Sequence, residues 1–173
     1  RVRSSASYEG QFSMRLRDNS GTASSMTSSA YNLSGYNSVE LEFYFYPNSM
    51  ENGEDFFVRY NDGSGWQTVA TYASGSSFSN GQFYVATVTL DAANFNLGSN
   101  ARFRFQCDAS TNSDQVYIDA ITLTGFSASG NSLPGTGARS TITPLPSLTN
   151  FGNELSSLGE ADVLLQPNPA SDF

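Results

Sequence analysis

The sequence predicts an all-β protein, a two-sheet antiparallel jelly-roll β-sandwich with an irregular C-terminal tail, and three observations carry that prediction. Between residues 8 and 126, apolar and polar side chains alternate with a period of two. Gly, Asn, Asp and Ser break the alternation at short intervals, as turns between strands require. No stretch shows the periodicity of a long amphipathic helix.

Taken in order, Phe12 to Arg17 and Ser24 to Ser28 open the set as short strands. Val39 to Tyr46 is the clearest strand: Val39, Leu41, Phe43 and Phe45 point one way, into the core, and Glu40, Glu42, Tyr44 and Tyr46 the other. Asp55 to Tyr60 and Trp66 to Tyr72 flank Asn61-Asp62-Gly63-Ser64-Gly65, a hairpin loop whose Asp and Gly tolerate left-handed backbone angles. Phe83 to Leu90 follows, then Ala101 to Cys107, which sets Phe103, Phe105 and Cys107 against Arg102, Arg104 and Gln106. Gln115 to Thr124 closes the series, giving about eight strands, the number of a jelly roll. The sandwich is thus expected over residues 1–126. From Ser127 to Pro146 the composition shifts to Ser, Gly, Pro and Thr without alternation, so 127–161 reads as a linker. One helical turn is expected near Glu154 to Leu158, and 162–173 form a separate terminal segment. Order in a tail of this composition requires that it be pinned against its own sandwich or against another chain.

Composition removes much enzyme chemistry. The chain has no His, and its eight basic residues are all Arg, so imidazole bases, His-ligated metals and Schiff-base lysines are excluded from it. Sixteen acidic residues give a net charge of -8, which disfavours nucleic acid and anionic membrane surfaces as partners. No apolar run is long enough for a membrane-spanning helix. The lone Cys107 forms no internal disulfide, and in register with Phe103 and Phe105 it reads as a buried thiol without an activating base. No pair of acids has the setting of a two-carboxylate hydrolase. The chain is therefore read as non-catalytic.

An acidic protein suits calcium, whose ligands are carboxylate and carbonyl oxygens. Asp119 lies on an otherwise apolar strand, where a buried carboxylate must be paired, capped or metal-bound. One reading joins Asp119 to Asp18, at the end of the first strand, in a structural calcium site, with Glu9 also near; the other has Asp119 facing solvent or capping a turn. Glu51-Asn52-Gly53-Glu54-Asp55 lacks the alternating acid order of a calcium loop and reads as a solvated turn. The polar strand faces hold the candidate ligand-binding residues: with Phe56, Val58 and Tyr60 in the core, Phe57 and Arg59 project outward with Tyr44, Tyr46, Arg102 and Arg104. Aromatic rings stack on sugars, and Arg and Glu hydrogen-bond hydroxyls, so one mixed face of this kind suits a glycan. Cross-strand Glu and Arg pairs on an ordinary exposed sheet give the same pattern. Trp66, opening a strand after a Gly turn, reads as a structural corner packed over the sandwich.

The order of features from Tyr8 to Gly125 resembles the jelly rolls of MAM-type and carbohydrate-binding-module-like domains in secreted bacterial proteins. The residues carrying it are Tyr8 to Asp18, Asn52-Gly53-Glu54-Asp55-Phe56, Gly63-Ser64-Gly65-Trp66 and Val116-Tyr117-Ile118-Asp119-Ala120-Ile121. Where such domains carry Asp-Asp/Asn-Ile in the final strand, this chain has Ala120 at the second position, and it lacks the disulfides of animal MAM domains. The resemblance implies a non-catalytic extracellular binding module for polysaccharide or cell-surface glycan inside a larger protein. The alternative it leaves is a structural subunit of a surface filament or adhesin, self-associating through a tail that packs on a neighbouring chain. Leu165-Gln166-Pro167-Asn168-Pro169-Ala170-Ser171-Asp172 resembles the first strand of the C-terminal sorting domain of type IX secretion cargo in Bacteroidetes. That implies contact with secretion machinery and a place outside the cell or on the outer-membrane surface of a Gram-negative bacterium. With Arg1-Val2-Arg3 at its start and a sorting domain only begun at its end, the chain reads as a fragment of a longer protein.

Overall fold

The structure is a computed structural model that describes residues 2–3, 6–17, 24–127 and 138–145. Within them run β1 (Val2–Arg3), β2 (Ser13–Arg17), β3 (Ser25–Thr27), β4 (Ser38–Asn48), β5 (Asp55–Asn61), β6 (Trp66–Ala73), β7 (Tyr84–Asp91), β8 (Arg102–Asp108), β9 (Gln115–Phe126) and β10 (Arg139–Pro144). A six-stranded sheet ordered β1-β2-β9-β4-β7-β10 faces a four-stranded sheet ordered β3-β8-β5-β6. Strand neighbours pair antiparallel throughout both sheets. This is the expected all-β sandwich.

Alternation builds its interior. Val39, Leu41, Phe43 and Phe45 of β4 are buried and face Phe56, Val58 and Tyr60 of β5 and Phe103, Phe105 and Cys107 of β8. Aromatic rings join the layers: Phe43 meets Phe105 edge-on at 4.8 Å, and Phe45 meets Phe56 edge-on at 4.8 Å and stacks on Tyr84 at 5.1 Å. Each such ring contributes roughly 1.5–3 kcal/mol by burial, and each pair about 0.5–1.5 kcal/mol more. Two buried tyrosines keep their hydroxyls satisfied at the rim: Tyr60 donates to the Asn96 carbonyl at 2.8 Å, and Tyr84 accepts from the Ser79 amide at 2.8 Å. In the loop after β5, Asn61 and Asp62 side chains accept from the Gly63 and Ser64 amides, and Gly63 takes φ 103°, the left-handed angle foreseen there.

Two irregularities shape the surfaces. Between Glu42 and Tyr44 the β4/β9 register shifts, so Ala120 and Ile121 together stand opposite Phe43, and Ala120 takes φ 45°. The bulge keeps Asp119 on the outer face and returns Leu123 to the inner one, opposite Leu41. The second irregularity is β10. Composition assigned 127–161 to a linker, yet Arg139–Pro144 pairs with β7 over its whole length. Thr141 and Thr143 stay outside, Ile142 tucks against the core, and Arg139 reaches Asp91 at 3.1 Å. A bare β7 edge, with its ladder of unpaired amides and carbonyls, supplies the partner that local composition cannot reveal. Residues 139–144 are thus pinned to their own sandwich. The helical turn expected near Glu154 and the segment 162–173 fall outside the described residues. No helix among the described residues is long and apolar enough to cross a membrane.

Candidate functional site

The predicted ligand residues do not share a face. Tyr44 and Tyr46 lie on the outer surface of the six-stranded sheet, whereas Phe57, Arg59, Arg102 and Arg104 lie on the outer surface of the four-stranded sheet. The two surfaces point in opposite directions, about 10 Å of core lying between the sheets. The single mixed face read from alternation is therefore two faces of different chemistry.

On the six-stranded sheet the register places Tyr46 beside Tyr117 and Tyr44 beside Asp119 on one side and Val85 on the other. Around them the fold gathers aromatic groups from elements far apart along the chain. Tyr8, in the loop before β2, stacks on Tyr44 with ring centroids 3.9 Å apart and planes 15° from parallel. Phe83, just before β7, meets Tyr8 at 5.7 Å and Tyr46 at 5.1 Å, and Tyr117 meets Tyr46 edge-on at 6.3 Å. Tyr8 and Phe12 remain 46% and 58% exposed, so this loop presents apolar surface to solvent. Burial, and then the Tyr8 hydroxyl and the Glu42 and Glu9 carboxylates, hold the Tyr44 pKa above the usual tyrosine value. Polar groups border the rings: the Tyr117 hydroxyl donates to Gln115 Oε1 at 2.7 Å, and Arg15 Nη1 donates to the same oxygen at 3.4 Å.

Asp119 is what brings Tyr8 there. Its Oδ2 accepts the backbone N–H groups of Tyr8 at 2.7 Å and Glu9 at 3.1 Å, and its Oδ1 accepts the N–H of Ala120 at 2.9 Å. The carboxylate thus caps a turn more than a hundred residues away in sequence. Lone pairs that a cation would need already serve N–H donors. Among the described residues no three acidic or thiol side chains gather at one point, and Asp18 lies outside them. As found, Asp119 is a backbone cap and does not fit a metal centre.

The opposite face centres on Trp66. The Arg104 guanidinium lies over its ring at 4.0 Å from the centroid, and Arg104 Nε donates to Thr27 Oγ1 at 3.0 Å. Arg59 Nη2 donates to the Trp66 carbonyl at 3.5 Å. Trp66 is therefore a partly exposed platform on the outer surface, not a corner packed over the core. In the acidic 51–55 loop, Glu54 binds backbone: Oε2 accepts the Glu51 N–H at 2.8 Å and Oε1 the Ser110 N–H at 2.7 Å. Those bonds outweigh burial and lower its pKa, while burial and the facing Asp108 raise that of Asp55.

An apolar pocket of about 240 Å³ also opens between the sheets, lined by Met26, Leu41, Phe103, Phe105, Ile121 and Leu123 among others. None of the predicted ligand residues lines it.

No protein-family model matches the chain, and no curated protein is similar to it in sequence. Three solved structures are similar to it at low identity. A family 16 carbohydrate-binding module is 16% identical with a TM-score of 0.48, covering 71% of this chain and 83% of that one. The K3 cleaved adhesin domain of Lys-gingipain from Porphyromonas gingivalis W83 is 15% identical with a TM-score of 0.48, covering 66% and 74%. A family 35 carbohydrate-binding module from an environmental isolate is 18% identical with a TM-score of 0.46, covering 84% and 87%.

Proposed function

We propose that this sandwich is a non-catalytic binding module for carbohydrate, within a secreted or cell-surface protein, and that it takes its ligand on the outer face of the six-stranded sheet. The observation that supports this is the Tyr8–Tyr44 stack, with one ring still 46% exposed and flanked by Phe83 and Tyr46. A sugar ring offers C–H groups that pack on such aromatic faces, and hydroxyls that pair with directional acceptors and donors. Glu42 shares the face with Tyr44 on β4, and Gln115 and Arg15 lie beyond Tyr117. Together they supply the polar edge of the site. A tyrosine pair with one ring exposed, held in place by a distant carboxylate, costs order and solvation, and a binding surface gives that cost a use.

The test is affinity electrophoresis of the 173-residue chain through gels holding soluble xylan, β-glucan or galactomannan, with added calcium and with chelator. Retardation by one of these, lost in Tyr44→Ala and Tyr46→Ala while the fold persists, is the expected result. Mobility unchanged in every gel would refute the reading. The chelator arm separately tests whether calcium takes part.

A further inference from the structure

The chain is acidic, with a net charge of -8, yet three of its eight arginines share the outer face of the four-stranded sheet. Arg59 and Arg104 stand directly opposite each other on β5 and β8, and Arg102 is opposite Asn61 one row over. Like charges facing across a sheet weaken it. Among the described residues the ion pair is Arg139 with Asp91, on the other sheet, so no described carboxylate stands within ion-pair distance of these arginines. The nearest acids in the ladder, Asp55 and Asp108, face each other instead. They lie four residues along β5 from Arg59, roughly 13 Å away at about 3.3 Å per residue. The face thus keeps its positive and negative charges apart, where one exchange of positions would pair them.

Both guanidinium groups are fixed. Arg104 is stacked on Trp66 and tied through Nε to Thr27, and Arg59 leans on the Trp66 carbonyl with its Nε shielded from solvent and without a hydrogen-bond partner. Each guanidinium carries five N–H donors, and one in each is engaged by a described residue. Immobilised, adjacent and without a described anion, they form a preorganised fork for a carboxylate or sulfate. Phe57, two residues from Arg59 on the same face, offers apolar surface for the ring bearing that group. The net charge selects among anions: a densely charged nucleic-acid backbone is repelled, whereas an acidic polysaccharide spaces its charges a whole sugar apart.

We infer that Arg59 and Arg104, with Arg102 at the margin, form a second binding site, which takes the anionic group of an acidic polysaccharide. It lies on the face opposite the tyrosines and stands independently of the reading given to them.

The experiment runs the whole chain through gels holding polygalacturonate, dextran sulfate or neutral dextran, the first two distinguishing carboxylate from sulfate. Retardation by at least one polyanion, absent in neutral dextran, is expected. It should weaken about tenfold or more in Arg59→Gln and Arg104→Gln and persist in Arg17→Gln, which makes the same charge change elsewhere. In the unaltered protein, galacturonate oligomers should shift the fluorescence of Trp66, the single tryptophan, where neutral oligosaccharides do not. That readout needs no variant to fold. No retardation by either polyanion, an equal loss in Arg17→Gln, or single-stranded DNA bound as tightly through the same arginines would each overturn the assignment.

Discussion

Removing the Asp119 carboxylate as Asp119→Ala tests whether the tyrosine surface is assembled by a single cap. The side chain accepts two long-range N–H bonds, from Tyr8 at 2.7 Å and Glu9 at 3.1 Å. A carboxylate capping exposed backbone amides is worth about 1 kcal/mol per position, as at helix N-termini. Two such bonds give about 2 kcal/mol, and at 1.4 kcal/mol per tenfold that raises the open population of the 6–12 loop roughly thirtyfold. The Tyr8–Tyr44 stack opposes opening equally with and without the cap, so it cancels from the ratio and the observed change stays at about thirtyfold. Amide hydrogen exchange reads this directly. Exchange at Tyr8 and Glu9 should accelerate by that factor, while the β4 and β7 amides keep their protection, because the ladder from Ser38/Asp91 to Phe45/Tyr84 does not include the 6–12 loop. Unchanged exchange at Tyr8 and Glu9, or uniform acceleration across both sheets, would refute the reasoning.

Three further outcomes follow from the packing and the charges. Phe45→Ala removes a fully buried ring in contact with Phe56, Phe78 and Tyr84, and urea unfolding should show a loss of about 3–5 kcal/mol. Asp55, whose pKa is raised by burial and Asp108, binds more protons folded than unfolded between its ordinary value and its raised one, so stability falls as pH rises through that window. Asp55→Asn should flatten that part of the Tm-against-pH curve, and a curve identical to the parent's would contradict the assignment. Ile142→Asp places a charge where β10 meets the core, and exchange in the 84–91 peptide should quicken while urea stability drops by about 1 kcal/mol.

Alternation made most of the fold legible, because the predicted strands from Phe12 to Thr124, the short Ser24–Ser28 stretch apart, answer to stretches with buried residues on one face. What it left out are β10, whose short Thr141-Ile142-Thr143 run is set in Ser, Gly and Pro composition and gains a ladder from the β7 edge, and the bulge at Ala120, where a non-glycine residue takes a left-handed angle. Asp119 was recognisable as a carboxylate needing an explanation, and capping was one of the readings open to it. Tyr8 was not recognisable as its partner, since the two meet across 111 positions and nothing periodic links them. Phe83 did carry a signal: it has the parity of Val85, an outward residue, at the mouth of β7.

The division of the predicted site into two faces has a definite physical origin. Alternation records whether a side chain points into or out of the sandwich; it carries no information about which sheet the strand joins. Strands β4 and β5 are consecutive, and a hairpin would have placed Tyr46 and Phe57 on one surface. Instead the chain between them turns at Ser49, with φ 60°, sends Met50 into the core and is clipped by Asn80, whose side chain accepts from the Met50 amide and donates to its carbonyl. The segment crosses from one layer to the other. Strand β9 then pairs with β4 while β8 pairs with β5, so the aromatic neighbours collect on one sheet and the arginines on the other. A ligand stacked on the tyrosines therefore leaves the guanidinium groups open, and each surface is answerable to its own chemistry.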